Sequence, residues 1–267
     1  MKHPREVLLG AQAAARVLPV CDHYSGVEAR MRKSLQLQAE LHQEFGVGVM
    51  DVTLDCEDGA SVGGEKDHAE LVASLAASAQ PEARVAVRVH AIDHPAFEQD
   101  IAILVGQARS RWSHIMLPKV ESVADIHTAV QSIDAAGGQH LPLHALIESP
   151  LAVHNAFDIA AHPRVQSLSF GLMDFVSSHG GAIPSSAMGV MGQFSHPLVY
   201  SPRHLFSNST CIIHQLSADL HISMNFMLVL FNSTCNAATF SLVAFLFVLN
   251  LSIVSSLVSR CNHVDEL

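Results

Sequence analysis

Five times in this chain a mostly apolar run ends at a charged residue, and the interval between those residues is nearly constant. Val47 to Leu54 runs into Asp55-Cys56-Glu57-Asp58-Gly59, Val85-Ala86-Val87 ends at Arg88, and Ile115 to Pro118 ends at Lys119. Leu143 to Ile147 ends at Glu148, and Leu168 to Met173 ends at Asp174. Counted from Glu57, the steps are 31, 31, 29 and 26 residues. A buried parallel strand reads as a short continuous apolar run, and one βα unit of an eight-fold barrel takes about 30 residues. The pattern therefore predicts successive parallel strands that deliver charged side chains to one rim.

The stretches between the runs predict helices. Val27 to Phe45 has apolar residues three and four apart and stops at Gly46, Glu65 to Ala77 follows the second strand, and Ala96 to Ala108 follows the third. Val123 to Ala136 follows the fourth, and Ser149-Pro150 opens another, proline being well placed in a first turn. Val17 to Val20 is the expected first strand, with Cys21 to Gly26 as its loop. The sixth strand is expected to end near Asp174. Alternation of this kind implies a parallel α/β sheet of about six units in residues 1–199.

From about Tyr200 the composition changes, and residues 200–267 are expected to form a separate apolar tail. No lysine follows Lys119, Ile222 to Ser259 carries no charged residue, and Ala237 to Val258 is long enough to span a bilayer. Two further βα units do not fit this stretch. It is expected to be a frame-shifted or degenerate segment, with an unusual cover for the barrel and then a membrane anchor as the lesser alternatives.

A net charge of −10 argues against a nucleic-acid binder, which needs a basic face. The five cysteines lack C-x-x-C spacing, and the N-terminus does not read as a signal peptide, so the expected compartment is the cytoplasm. There is no H-E-x-x-H and no G-x-S-x-G, and Gly46-Val47-Gly48 precedes a strand instead of following one. His140 and His144 are four apart but flank a strand start, so the histidines are expected to be surface or core residues.

Glu148 and Asp174, at the ends of adjacent strands, are the expected metal ligands. Mg2+ takes one or two protein carboxylates and leaves its other positions to water and substrate, and it polarises a carbonyl. Taken singly, either carboxylate reads as a helix cap. Arg88 offers a bidentate cation for a substrate carboxylate; a rim salt bridge to Glu57 or Asp58 is compatible with that. Glu57 and Asp58 can orient Arg88, hydrogen-bond metal-bound water or cap the next helix. Lys119 reads as a partner of a carboxylate, with a Schiff-base role as the lesser alternative.

These residues sit in motifs that resemble those of the HpcH/HpaI aldolase and citrate lyase beta-subunit family. Leu54 to Asp58 resembles L-D-x-E-D, and Val87-Arg88-Val89-His90 resembles V-R-V-N. Leu117 to Ser122 matches L-P-K-V-E-S, Ala145 to Pro150 resembles A-L-I-E-T-P, and Phe170 to Asp174 resembles F-G-x-x-D. The resemblance implies a TIM barrel with Mg2+ on Glu148 and Asp174, and with Arg88 holding a 2-oxo acid; the family's last two strands have no counterpart in the sequence, so the barrel is expected to be incomplete. It implies carbon–carbon lyase chemistry on a 3-hydroxyacyl-CoA thioester, with Arg88, Glu57 and Asp58 as catalytic residues and Arg88 and Lys119 against substrate. It also implies a homo-oligomer, since the family's C-terminal helices often reach a neighbouring subunit. A thioester hydrolase at the same site and an inactive product are the alternatives. The family's basic R-x-x-L-F-V-P-G strand is replaced by Val17 to His23, which loosens the inference to CoA.

Overall fold

The apolar runs become strands because each can bury a row of side chains under helices. The structure, a computed structural model, describes residues 19, 21–46, 48, 50–108, 112–189 and 191–202. In chain order these form β1 (Cys21–Ser25), α1 (Glu28–Phe45), β2 (Met50–Asp55), α2 (Glu65–Ser78), β3 (Val85–Arg88), α3 (Phe97–Ala108) and β4 (Trp112–Leu117). There follow α4 (Val123–Ala135), β5 (Leu143–Ile147), α5 (Pro150–His154), α6 (Ala156–Ala160), β6 (Val165–Phe170) and α7 (Leu172–Ser178). Two 3-10 turns, Ser185–Met188 and Gly192–Phe194, come after α7. The strands pair in parallel in the order β1-β2-β3-β4-β5-β6.

Side chains alternate across a strand, and the two faces of this sheet have opposite chemistry. Val52 and Leu54, Val85 and Val87, Ile115 and Leu117, and Leu143, Ala145 and Ile147 belong to the main core. They share it with Val72 and Leu75 of α2, Ile101 and Leu104 of α3, and Ile126 and Ile133 of α4. The alternate positions are largely polar and buried: Asp22, Asp51, Thr53, Asp55, Arg88, His114, His144, Ser167 and Ser169. Their contacts reveal the curl of the sheet. The Tyr24 hydroxyl of β1 donates to the Met116 sulfur of β4, and His114 Nε2 lies 3.3 Å from Asp22 Oδ2. Strands three places apart in the sheet meet in this way only if it bends into part of a barrel. The architecture is thus an incomplete α/β barrel of six strands among the described residues.

Most element boundaries match expectation. Gly46 ends α1 with φ of 70° and donates its N–H to His42, the left-handed stop that glycine takes without penalty. Two boundaries do not. Cys21 to Ser25, expected as a loop, is itself β1, pairing Asp22 with Asp51 and Tyr24 with Thr53. Its residues look like a loop because both faces are polar: Asp22 and Tyr24 meet Thr53 and Met116 on the concave side, and Ser25 meets Ser34 of α1 on the other. The sixth strand stops at Phe170, and Asp174 lies in the first turn of α7. Gly171 makes the break. Of the expected Val17 to Val20 strand, only Pro19 is described. The apolar tail beyond residue 202, including Ala237 to Val258, lies outside the described residues. No helix among the described residues is long and apolar enough to cross a membrane.

Candidate active site at the carboxyl rim

The rim is built from strand ends and the loops that leave them. Asp55 closes β2, and the chain turns at once through Cys56 to Gly59. Only glycine fits at 59: a Cβ there would lie 2.2 Å from the Asp55 carbonyl oxygen and 2.7 Å from that of Gly26. The turn folds Glu57 and Asp58 back over the end of β3, where Arg88 is paired in register with Asp55.

Arg88 is buried and held on three sides. Its Nε and Nη2 donate to the two Asp55 oxygens at 2.7 and 2.6 Å, a bidentate pair. Nη2 also donates to Asp58 at 2.6 Å, and Nη1 lies 2.8 Å from Glu57 Oε2. The guanidinium carbon sits 5.8 Å from the centre of the Tyr24 ring. Burial pulls the Arg88 pKa down, but the Asp55 hydrogen bonds and the fields of Glu57 and Asp58 outweigh it, so the net shift is upward. A guanidinium has five N–H groups, and those not already donated are on Nη1. The structure therefore displays the rim salt bridge expected for Arg88, with Nη1 facing Glu57.

Glu57 bridges to a second cation, accepting a hydrogen bond from Lys119 Nζ while its other oxygen faces Arg88. Lys119 is half exposed and its backbone is unusual, with φ of 53°. A non-glycine residue in that region is strained by about 1 kcal/mol or more. The conformation aims the Lys119 N–H at Glu148 Oε2, 2.8 Å away. Burial opposes the Lys119 charge, but its Glu57 hydrogen bond and the fields of Glu57, Asp174 and Glu148 raise its pKa.

Glu148 follows the last residue of β5 and is 6% exposed. Its side chain packs against Gly171, where a Cβ would stand 2.4 Å from Oε1 and 2.5 Å from Cγ. Burial, with the negative fields of Asp174 and Glu57, pushes its pKa up to about 7 against the pull of the Lys119 N–H and Arg88. Asp174, exposed on the first turn of α7, faces the same space.

All six expected site residues thus gather at one rim, Asp58 and Asp174 on its solvent side. Asp55 was legible as part of a motif, yet its role as the main partner of Arg88 appears only in the pairing of β2 with β3. Five carboxylates (Asp55, Glu57, Asp58, Glu148 and Asp174) face two cations. A hard divalent ion suits that excess, and Glu148 Oε1 and the Asp174 carboxylate accept no hydrogen bond among the described residues. The donors are carboxylate oxygens, as Mg2+ requires, so the residues present fit the ion.

Comparison with known proteins identifies the family. The sequence profile of the HpcH/HpaI aldolase/citrate lyase family matches residues 36–195. An L-malyl-CoA/beta-methylmalyl-CoA lyase of Cereibacter sphaeroides is 36% identical over 102 residues, covering 36% of this chain and 32% of the lyase. A (3S)-malyl-CoA thioesterase of the same species is 32% identical over 136 residues, covering 50% of this chain and 45% of the thioesterase. The chain therefore spans about a third to just under half of these relatives. Among solved structures, a citrate lyase from Burkholderia xenovorans LB400 superposes with a TM-score of 0.64 at 45% identity, over 71% of this chain and 59% of that one. A HpcH/HpaI aldolase/citrate lyase family protein from Burkholderia cenocepacia shares the fold at 16% identity, with a TM-score of 0.52 over 82% of each chain. On the extent of the profile match, the chain belongs to the HpcH/HpaI aldolase/citrate lyase family.

Proposed function

We propose that this chain carries the active site of a Mg2+-dependent carbon–carbon lyase, which cleaves a 3-hydroxyacyl-CoA thioester of the malyl or citryl type to an acyl-CoA and a 2-oxo acid. The observation that carries this reading is the buried Glu148 carboxylate beside Asp174, one strand from the Lys119–Glu57–Arg88 chain. The naming of its relatives as malyl-CoA lyases supports the substrate class. When bound, Mg2+ would polarise the oxo-acid carbonyl. Glu148 and Asp174 would hold the ion, with the Lys119 N–H fixing the Glu148 carboxylate. Arg88 would present Nη1 to the oxo-acid carboxylate, and Asp55, Glu57 and Asp58 would keep the guanidinium in place. The half-exposed Lys119 ammonium would meet the substrate from the solvent side. We place the enzyme in the cytoplasm, as a homo-oligomer.

The similarity to a malyl-CoA thioesterase favours one second reading, hydrolysis at the same site. Product analysis separates the two. With Mg2+, acyl-CoA plus glyoxylate or oxaloacetate marks the lyase, and free CoA plus the hydroxy acid marks the hydrolase. A screen of both oxo acids against several acyl-CoAs in the condensing direction tests the main reading; turnover unaffected by removal of Mg2+ overturns it. Metal binding is a separate measurement. Glu148→Gln and Asp174→Asn should each weaken Mg2+ about tenfold or more in calorimetry. Unchanged affinity in both variants places the ion elsewhere.

A further inference from the structure

The concave face holds a second cluster, deeper than the rim. Asp22 of β1, His114 of β4 and His144 of β5 converge there, with one ligand-type atom of each lying within 4.8 Å of the others. They are 9%, 0% and 3% exposed. His144 precedes Glu148 by four residues, so the cluster lies about 13 Å below the rim along the strand.

Each of the three side chains has one polar atom engaged and the other left over. Asp22 Oδ1 accepts from the Thr53 hydroxyl at 2.6 Å, and Oδ2 has no hydrogen bond. His144 Nε2 lies 3.1 Å from Gln166 Oε1, and Nδ1 has none. Since Gln166 Oε1 only accepts, the ring proton is on Nε2, and Nδ1 presents a lone pair. His114 Nδ1 lies 3.2 Å from Ser113 Oγ, and Nε2, 3.3 Å from Asp22 Oδ2, makes no aligned hydrogen bond. Buried polar atoms are nearly always satisfied. Three side chains with orphaned atoms, their ligand-type atoms within 4.8 Å of one another, suit a ligand that accepts lone pairs from all of them.

We propose that Asp22, His114 and His144 bind one divalent ion of the zinc class on the concave face, apart from the rim. Two imidazoles and a carboxylate suit Zn2+ and its neighbours, whereas Mg2+ prefers oxygen donors throughout. The contacts to Thr53, Gln166 and Ser113 are the outer partners that orient such ligands, and Asp51 stands 3.8 Å from His114 Nδ1. Burial keeps both imidazoles neutral, the form that binds metal: His114 is pushed down to about 4 and His144 is also lowered. Bonds of about 2.1 Å at tetrahedral angles put donor atoms about 3.4 Å apart, close to the present His114–Asp22 separation. The rings are stacked at 3.5 Å with 15° between their planes. One must therefore turn about χ2, a soft torsion, to bring its in-plane lone pair onto the ion. The ion would tie β1 to β4 and β5, strands that do not pair with it.

The test uses the full chain with Co2+ and Zn2+ as probes, in excess Mg2+ and in the Glu148→Gln background, so that the rim does not contribute. The expected result is one equivalent bound, with Co2+ visible bands of nitrogen and oxygen ligation and no thiolate charge-transfer band. Asp22→Asn, which keeps the shape, and His144→Phe, which keeps the stacking, should each weaken binding at least about tenfold, with circular dichroism reporting the fold. If His144→Phe does not fold, the isosteric Asp22→Asn decides. No bound equivalent, a thiolate spectrum, or unchanged affinity in the folded variants overturns the proposal.

Discussion

At the scale of single residues, the rim depends on the absence of one side chain and the proton affinity of another. Gly171 has φ of −85°, so its backbone is ordinary, and what matters is space for Glu148. Gly171→Ala should push the Glu148 carboxylate aside and weaken Mg2+ about tenfold or more, by calorimetry, while leaving the helical circular dichroism intact; normal affinity would refute this account. The Glu148 pKa of about 7 sets a pH dependence. Mg2+ competes with the proton, so affinity should fall about tenfold per pH unit below about 7 and level off above it. A titration flat from pH 5 to 8 contradicts the shift. His90, where the family motif has Asn, donates from its ring to Asp100 at 2.7 Å. That bond raises its pKa above 6.5 against the effect of burial. The folded state then holds the proton more tightly than the unfolded state. Its stabilisation is complete below pH 6.5 and is lost as pH rises through the raised value. His90→Asn should remove that slope from melting temperature against pH.

At the scale of elements, the family-like motifs serve the fold as well as the chemistry. Ser149 caps α5, accepting from the Ala152 N–H at 3.0 Å, and its hydroxyl donates to Glu121 at 2.7 Å. The Glu121 carbonyl accepts from Asn155 at 2.8 Å, and Asp125 accepts from the Glu121 and Ser122 N–H groups at the start of α4. The loops after β4 and β5 are therefore pinned together, which holds Lys119 against Glu148. Ser149→Ala should lower stability by about 1 kcal/mol, the usual worth of an N-cap, and reduce Mg2+ affinity as well. A loss of stability with no change in Mg2+ binding would show that the loops are positioned independently. The helical periods around Val123 and Glu65 were readable because those helices are amphipathic. β1 was not, because both of its faces carry polar residues.

At the scale of the whole molecule, the described sheet has two edges. β1 pairs only with β2 and β6 only with β5, whereas the other four strands have neighbours on both sides. Half the amides of an edge strand point away from its neighbour. Native-state hydrogen exchange should therefore find β3 and β4 slowest, with the outward amides of β6 among the fastest in the sheet. Slow outward β6 amides would mean that residues beyond 202 pair with this edge. The family match stops at residue 195, a few residues before the composition breaks near Tyr200. We propose that a reading-frame change follows Val199, in keeping with the frame-shifted or degenerate segment expected from about Tyr200. Resequencing the locus decides it, and an uninterrupted frame with a fully active chain rejects it.

The sequence by itself determined five of the six strands, most helix spans and the charged residues carried to the rim, since burial and chain direction impose a period that composition reveals directly. Tertiary structure alone decided the rest. Asp55 became the anchor of Arg88 through the register of β2 on β3, and Lys119 took a left-handed backbone because Glu148 needed its N–H. Asp22, His114 and His144 lie 92 and 30 residues apart in the chain, so no local spacing links them. They meet because a twisted parallel sheet curls on itself, and that closure depends on how all the strands pack together.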